Sequence, residues 1–282
     1  MILSGKDLSD RIKAGLADKV RGYSRTYGRV PCLAVILVGE DPASRIYVRN
    51  KEKACDAVGI RNITLHFPED ARQADVRREI LKLNADREVD GILVQLPLPA
   101  HIDKDVIIRA IRRDKDVDGF HPLNVAALWQ KMPCMLPCTP KGIMKLIDEA
   151  GVKPEGRRAV VIGRSNIVGL PVSKMLLDAN ATVTMCHTRT ENLAAHTREA
   201  DIIICAAGRS GLLTGDMVSE GAVVIDVGMN RDADGKLCGD ADFASVAPKA
   251  SWITPVPGGV GPMTIACLME NTVEAFLNHM GA

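Results

Sequence analysis

Short β-branched runs alternate along this chain with longer segments of helical period, and the alternation occurs twice. In the first half, Cys32 to Gly39 (CLAVILVG) and Gly91 to Leu96 (GILVQL) are continuous apolar runs suited to strands covered on both faces. Asn62 to Phe67 is a third strand between them, and amphipathic segments near 44–58 and 71–85 connect the three. In the second half, Ala159 to Ile162, Ala181 to Cys186, Asp201 to Cys205, Ala222 to Val227 and Ser251 to Thr254 are five strand candidates. Strands alternating with helices in this way predict βαβ units, and hence an α/β fold of two domains with mostly parallel sheets.

Proline marks the division. The stretch Pro133 to Pro140 (PCMLPCTP) cannot continue a helix or a central strand, so it is the expected boundary, with a helix from about 141 opening the second half. Thr264 to His279 has helical period after the glycine-proline loop at 255–262, and is expected to pack back on the first half. The expected domains are therefore 1–138 completed by 265–282, and 139–264, with a ligand cleft between them.

Composition narrows the classes. With 46% hydrophobic and 25% charged side chains in 282 residues, the chain can bury two cores. Lysine plus arginine (36) nearly balance aspartate plus glutamate (35), which leaves no basic field for a nucleic acid. No run of about 18 apolar residues suggests a membrane partner, and the N-terminus lacks a basic-then-apolar leader, so a cytoplasmic location is expected. The eight cysteines form no CxxC pair, and neither they nor the six histidines show metal-ligand spacing, so no metal is expected.

The second half carries a nucleotide motif. Ala159-Val-Val-Ile-Gly163-Arg164-Ser165-Asn166-Ile167-Val168-Gly169 is a buried strand, a tight turn and a helix start, the order that cradles a pyrophosphate on helix N–H groups in a Rossmann-type domain. Ser165 stands where the common GxGxxG fingerprint has its middle glycine, and a plain glycine turn before a helix remains the alternative. After the next strand, where an NAD site usually places a ribose-binding acid, the residues are His187-Thr188-Arg189. Thr188 and Arg189, with Arg164, suit a 2′-phosphate and favour NADP, although a solvated basic turn would look the same.

Two segments go further: Gly91-Ile-Leu-Val-Gln95-Leu96-Pro-Leu-Pro99, and Thr254-Pro-Val-Pro257-Gly258-Gly-Val-Gly-Pro262-Met-Thr264. Together with Asp41 to Lys51 (DPASRIYVRNK), Lys115 to Gly119 (KDVDG), Pro137 to Gly142 (PCTPKG) and the Gly163 turn, they resemble the bifunctional methylenetetrahydrofolate dehydrogenase/cyclohydrolase family over essentially the whole chain. The resemblance implies NADP-dependent oxidation of 5,10-methylenetetrahydrofolate to the methenyl compound and its hydrolysis to 10-formyltetrahydrofolate. It also implies a homodimer through the second domain.

The resemblance assigns residues too. Ser44, Tyr47 and Lys51 fall at i, i+3 and i+7, on one face of a helix. On spacing alone a snorkelling lysine beside a packing tyrosine is the readier reading. In the family the matching tyrosine stacks on the folate and the matching lysine is the main acid/base group. Gln95 interrupts an apolar strand near its carboxyl end, and its amide is expected to help lower the lysine pKa; otherwise it is a satisfied buried amide. Asp118 resembles the carboxylate that binds the pterin ring. By the same resemblance Leu96, Pro257 and Gly258 join the substrate set. Thr139, Gly163, Arg164, Ser165, Ile167, Thr188, Arg189, Met229 and Thr264 form the cofactor set. A non-catalytic NADP sensor would not need Lys51, Tyr47, Gln95 and Asp118 outside its dinucleotide domain, and the presence of Lys51 and Gln95 disfavours a dehydrogenase without hydrolase activity.

Overall fold

The computed structural model describes residues 1–282, which divide into two compact units. One unit comprises Asp10–Cys138 and Ile265–Ala282; the other comprises Met1–Ser9 and Thr139–Thr264.

The elements of the first unit are α1 (Gly5–Tyr27, which begins in the other unit), β1 (Cys32–Val38), α2 (Pro42–Val58), β2 (Arg61–Phe67), α3 (Gln73–Ala85), β3 (Gly91–Val94), α4 (Lys104–Ala110) and α5 (Pro122–Trp129). Its sheet is parallel in the order β2-β1-β3, so β1 is central and all seven of its residues are buried. Strand alternation sends the two sets of β1 side chains to different cores. Leu33, Val35 and Leu37 join Val20 of α1 and Val48, Cys55 and Val58 of α2, whereas Cys32, Ala34 and Ile36 join Val76 and Ile80 of α3 and Ile107 of α4. Helix α2 starts where Asp41 accepts from the Ser44 N–H at 2.7 Å with Pro42 in its first turn, and ends at left-handed Gly59.

The second unit contains α6 (Cys138–Glu149), β4 (Arg158–Ile162), α7 (Gly169–Asp178), β5 (Thr182–Cys186), α8 (Leu193–Thr197), β6 (Ile202–Cys205), β7 (Val223–Asp226), β8 (Asn230–Arg231), β9 (Leu237–Cys238), α9 (Phe243–Val246) and β10 (Trp252–Ile253). Helix α10 (Val260–Met280) ends the chain. The parallel five-stranded sheet runs β10-β7-β6-β4-β5, so strand order reverses beside β4, the place where open α/β sheets bind ligands.

Several features differ from the sequence reading. Helix α6 starts at Cys138 with Pro140 in its first turn, where a missing N–H costs nothing, and α10 starts at Val260, inside the expected loop. Helix α1 has no counterpart in that reading, because its buried or partly buried stripe of Ile12, Leu16, Val20 and Tyr23 supplies only about one apolar residue per turn in a charged segment. The antiparallel β8–β9 pair is likewise unforeseen, since two-residue strands are too short to show a period. Residues 1–9, expected with the first half, belong to the second unit: Leu3 N–H donates to the Ile253 carbonyl at 2.8 Å, and Ile253 N–H to that of Met1 at 3.0 Å. The N-terminus thus pairs alongside β10 as strand-like backbone that needs an edge.

Candidate active site

In the first unit, helix α2 presents Lys51 as a nearly buried side chain, 7% exposed, with its Nζ donating to Gln95 Oε1 at 2.8 Å. Gln95 lies just past β3, held by its N–H to the Ile36 carbonyl at 2.8 Å, and its Nε2 donates to the Leu96 carbonyl at 2.6 Å. That second bond orients the amide and turns its oxygen toward the lysine. Burial pulls the Lys51 pKa below its ordinary value, opposed by Asp118 and by the thiols of Cys138 and Cys55. Gln95 is an acceptor here, which favours the charged amine, so desolvation rather than the expected amide contact lowers the pKa.

Tyr47, one turn before Lys51, is partly buried, and burial raises its phenol. Ser44, one turn earlier, is buried with its N–H on the Asp41 cap. Asp118 is partly buried; desolvation pushes its carboxyl up, Lys51 opposes this and Asp116 adds to it. Lys51, Gln95 and Asp118 therefore form one coupled set, each of the two charged groups working against the desolvation of the other.

Adjacent residues hold Asp118 in place. Lys115 donates to the Leu83 and Asp86 carbonyls at 3.0 and 2.5 Å, closing the end of α3. Asp116 accepts from His121 N–H and Asn124 Nδ2, each at 2.8 Å, while Val117 is fully buried in the core. From α10, the buried Asn271 amide donates to the Val117 carbonyl at 2.8 Å and the Leu136 carbonyl at 2.9 Å.

In the second unit, β4 ends at Ile162 and the chain turns through Gly163, Arg164, Ser165 and Ile167 into α7. A methyl group at Gly163 would overlap the Ala206 carbonyl, and one at Gly169 the Gly163 carbonyl, so only glycines allow this close approach. Ser165 Oγ accepts from the Val168 N–H at 3.1 Å and Arg164 is exposed, as is Ile167. Beyond β5, His187 N–H donates to Thr190 Oγ1 at 2.8 Å and Arg189 N–H to His187 Nδ1 at 3.2 Å, which leaves Thr188 and Arg189 side chains exposed. Glycine clearance at a helix start beside exposed guanidinium groups is a cradle that fits a phosphorylated dinucleotide.

Of the other residues expected around the cofactor, Thr139 and Thr264 meet through their hydroxyls at 2.9 Å, and Met229 is 52% exposed just before β8. Gly258 accepts from the Lys6 N–H at 2.9 Å, and with Pro257 it belongs to the second unit.

Two family models account for most of the chain: the tetrahydrofolate dehydrogenase/cyclohydrolase catalytic domain over residues 3–118, and the NAD(P)-binding domain of the same family over 137–280. The bifunctional protein FolD of Moorella thermoacetica is 56% identical over 97% of this chain and 98% of its own. The chain belongs to the tetrahydrofolate dehydrogenase/cyclohydrolase family. Among solved structures, the bifunctional FolD of Campylobacter jejuni superposes with a TM-score of 0.96 at 52% identity, covering 99% of each chain. The Trypanosoma brucei methylenetetrahydrofolate dehydrogenase-cyclohydrolase, solved with NADP and an inhibitor, has a TM-score of 0.96 at 38% identity over 100% of this chain and 99% of that one.

Family motifs gave roles to Lys51, Gln95 and Asp118, but none to Lys115 and Asp116, which share the KDVDG motif, or to Asn271, which lies outside the motifs. Asn271 stands beside Glu270, Thr272 and Glu274 in the stretch ACLMENTVEAF, so nothing in the sequence set it apart as the buried amide. The carboxylates of Asp226 and Asp240, both nearly or fully buried in the second unit, were also passed over. Asp240, in a Gly-Asp pair, reads from sequence as a turn former.

Proposed function

We propose that the two units divide the family's work, the first binding folate and moving protons, the second holding NADP. The enzyme is bifunctional: it oxidises 5,10-methylenetetrahydrofolate with NADP and hydrolyses the resulting 5,10-methenyl compound to 10-formyltetrahydrofolate. The observation that carries the division is the buried Lys51–Gln95 pair, coupled to Asp118, in the unit that lacks the nucleotide cradle.

Bound NADP supplies the acceptor for the hydride that leaves the methylene carbon. Gly163, Arg164, Ser165 and Ile167 border its phosphates, Thr188 and Arg189 take the 2′-phosphate, and Thr139, Met229 and Thr264 complete that site. The oxidation leaves a delocalised cation and calls for no base on the protein. Hydrolysis does call for one: water adds to the cation, loses a proton and opens the five-membered ring. Lys51, shifted by burial toward its neutral form, takes the proton and later returns one to the departing ring nitrogen. Gln95 fixes the amine by accepting its N–H, with Leu96 orienting the amide. Tyr47 offers a ring face to the cation, with Ser44 beside it. Asp118 accepts from the pterin, and Pro257 with Gly258 lines the substrate.

The eight free cysteines, most of them buried core members, support a reducing compartment such as the cytoplasm. A homodimer through the second unit is what the family resemblance implies, and the exposed Leu237 and Phe243 give that unit apolar surface to cover. No helix is long and apolar enough to cross a membrane, and the charge balance offers nothing to a nucleic acid.

The test is direct: incubate the protein with methylenetetrahydrofolate and NADP, and follow nucleotide reduction together with methenyl absorbance. Reduction with transient methenyl that then decays faster than its spontaneous rate is expected. Methenyl that accumulates and decays only spontaneously would refute the hydrolytic half.

A further inference from the structure

The rim of the five-stranded sheet hangs on one buried carboxylate that the mechanism above does not use. Asp240 is 0% exposed, and its Oδ2 accepts from the N–H groups of Ala207 and Gly208 at 2.6 and 3.0 Å. Its Oδ1 accepts from the Arg209 N–H and from Asn230 Nδ2, both at 2.8 Å. Ala207 to Arg209 form the turn after β6, and Asn230 follows the turn after β7. One side chain therefore fixes two neighbouring turns at the carboxyl ends of the sheet.

A second carboxylate fixes the first. Asp226, the last residue of β7, accepts from the N–H groups of Gly228, Asp240 and Ala241, each at 2.9 Å, so it sets the backbone from which Asp240 projects. Its own N–H donates to Thr254 Oγ1 at 2.7 Å, which adds the end of β10 to the same knot. The knot has no slack: a methyl group at Gly228 would overlap Asp240, and one at Gly239 would overlap the Asp226 carboxylate.

Position gives the knot a function. A dinucleotide lies across the point where strand order reverses, one half toward each side. Thr188 and Arg189 after β5 assign the adenosine half, with its 2′-phosphate, to the β4–β5 side. The nicotinamide half then falls to the rim of β6 and β7, whose turns Asp240 holds. We propose that Asp240 is a positioning residue for the nicotinamide half of the cofactor, setting the two turns against which the reacting ring is aligned. This rests on NADP binding in the second unit. Both oxygens of Asp240 are taken up by groups of the two turns, so it acts through the turns and not on the ring. Its loss leaves three backbone N–H groups and one amide without the acceptor that ties the two turns together, so the turns are free to shift.

The experiment compares Asp240→Asn and Asp240→Ala with the unaltered enzyme in four measurements. These are binding of 2′,5′-ADP, which carries only the adenosine half; binding of NADP; kcat and KM for NADP reduction; and methenyl hydrolysis without nucleotide. In both variants 2′,5′-ADP binding and hydrolysis are retained. NADP reduction falls by about 10²-fold in Asp240→Ala, the cost of roughly 1 Å of misplacement between reacting groups, and the fall is mainly in kcat. Asp240→Asn keeps the size and one acceptor oxygen, so it recovers part of the loss. Should Asp240→Ala fail to fold, Asp240→Asn decides alone. Unchanged NADP reduction in a folded variant overturns the proposal, as does a loss shared equally by 2′,5′-ADP binding and hydrolysis, which marks a merely structural role. If the unaltered enzyme binds neither nucleotide, the assignment of NADP to this unit fails first and takes the proposal with it.

Discussion

The Lys51 region and the nucleotide cradle use charge in opposite ways. Lys51 is nearly buried, its partner Gln95 is a neutral acceptor, and its ionisation is shifted by desolvation. Arg164, Thr188 and Arg189 are exposed on turns whose shape is set by backbone bonds and glycine clearance. Burial makes a protonation state adjustable and therefore useful for acid/base work. Exposure keeps a guanidinium charged and free to meet a phosphate, at the price of screening by salt.

If that contrast is right, the largest effect comes from removing the buried amine. Lys51→Met keeps an unbranched apolar stem and deletes the titrating group, so methenyl hydrolysis is expected to fall by about 10²–10⁴-fold, the usual worth of general acid/base catalysis. NADP-dependent oxidation should fall less, because hydride transfer depends on alignment. The readouts are decay of added methenyltetrahydrofolate, corrected for the spontaneous rate, and NADPH formation on the same preparation. Wild-type hydrolysis by the folded variant would move the proton transfer to another residue.

Next in size is Asp118→Ala, which confronts the two regions with each other's ligands. Deleting a carboxylate proposed to accept from the pterin is expected to cost about 1.5–3 kcal/mol in folate binding and to leave NADP binding unchanged. Calorimetric titration with each ligand checks this. Normal folate affinity in a folded variant would remove Asp118 from the site.

The pH profile sharpens the argument about Lys51. On the proposed mechanism the neutral amine acts as the base, so hydrolysis should rise as pH rises and level off above the folded pKa, which burial places below the ordinary 10.5. Below the plateau the slope is about tenfold per pH unit when one proton is lost. Because Gln95 presents an oxygen that favours the ammonium, Gln95→Leu should move the rising limb to lower pH. A shift to higher pH would mean that the amide helps hold the amine neutral, as the sequence alone suggested. Oxidation should lack this limb.

How much of this was legible in sequence follows from the kind of signal each feature leaves. The strands β1, β3 and β6 are continuous apolar runs, and β4 and β7 are apolar except for Arg158 at the start of one and Asp226 at the end of the other, because a parallel strand covered on both faces has no polar face to interrupt it. The three segments that hold Lys51, Gln95 and Asp118 were legible because each is a family motif. Helix α1 was not, since its apolar stripe is thin, nor was the strand-like pairing of residues 1–3 with β10, which depends on an edge that forms only in the folded sheet. Asp226 and Asp240 escaped for a common reason. Most of their partners are backbone N–H groups, which every residue type supplies, and the one side-chain partner, the Asn230 amide on Asp240, carries no charge to mark the pair.

The smallest effect tests the exposed half of the comparison. Arg189→Ala is expected to reduce kcat/KM for NADP by roughly tenfold, near the lower end of about 1.5–3 kcal/mol for a charge-assisted contact, because an exposed ion pair is weakened by solvent. The corresponding value for NAD, which lacks the 2′-phosphate, should hardly change, so the NADP/NAD ratio carries the whole effect. Arg164→Ala should act in the same direction. Raising the salt concentration should shrink the ratio of the unaltered enzyme toward that of the variant, since exposed charges are screened beyond a Debye length of about 10 Å at 0.1 M. The Lys51 rate, set by a buried amine, should respond much less to the same salt series. Equal use of NADP and NAD by the unaltered enzyme would remove Arg164, Thr188 and Arg189 from 2′-phosphate recognition and leave the turn after β5 as a solvated basic loop.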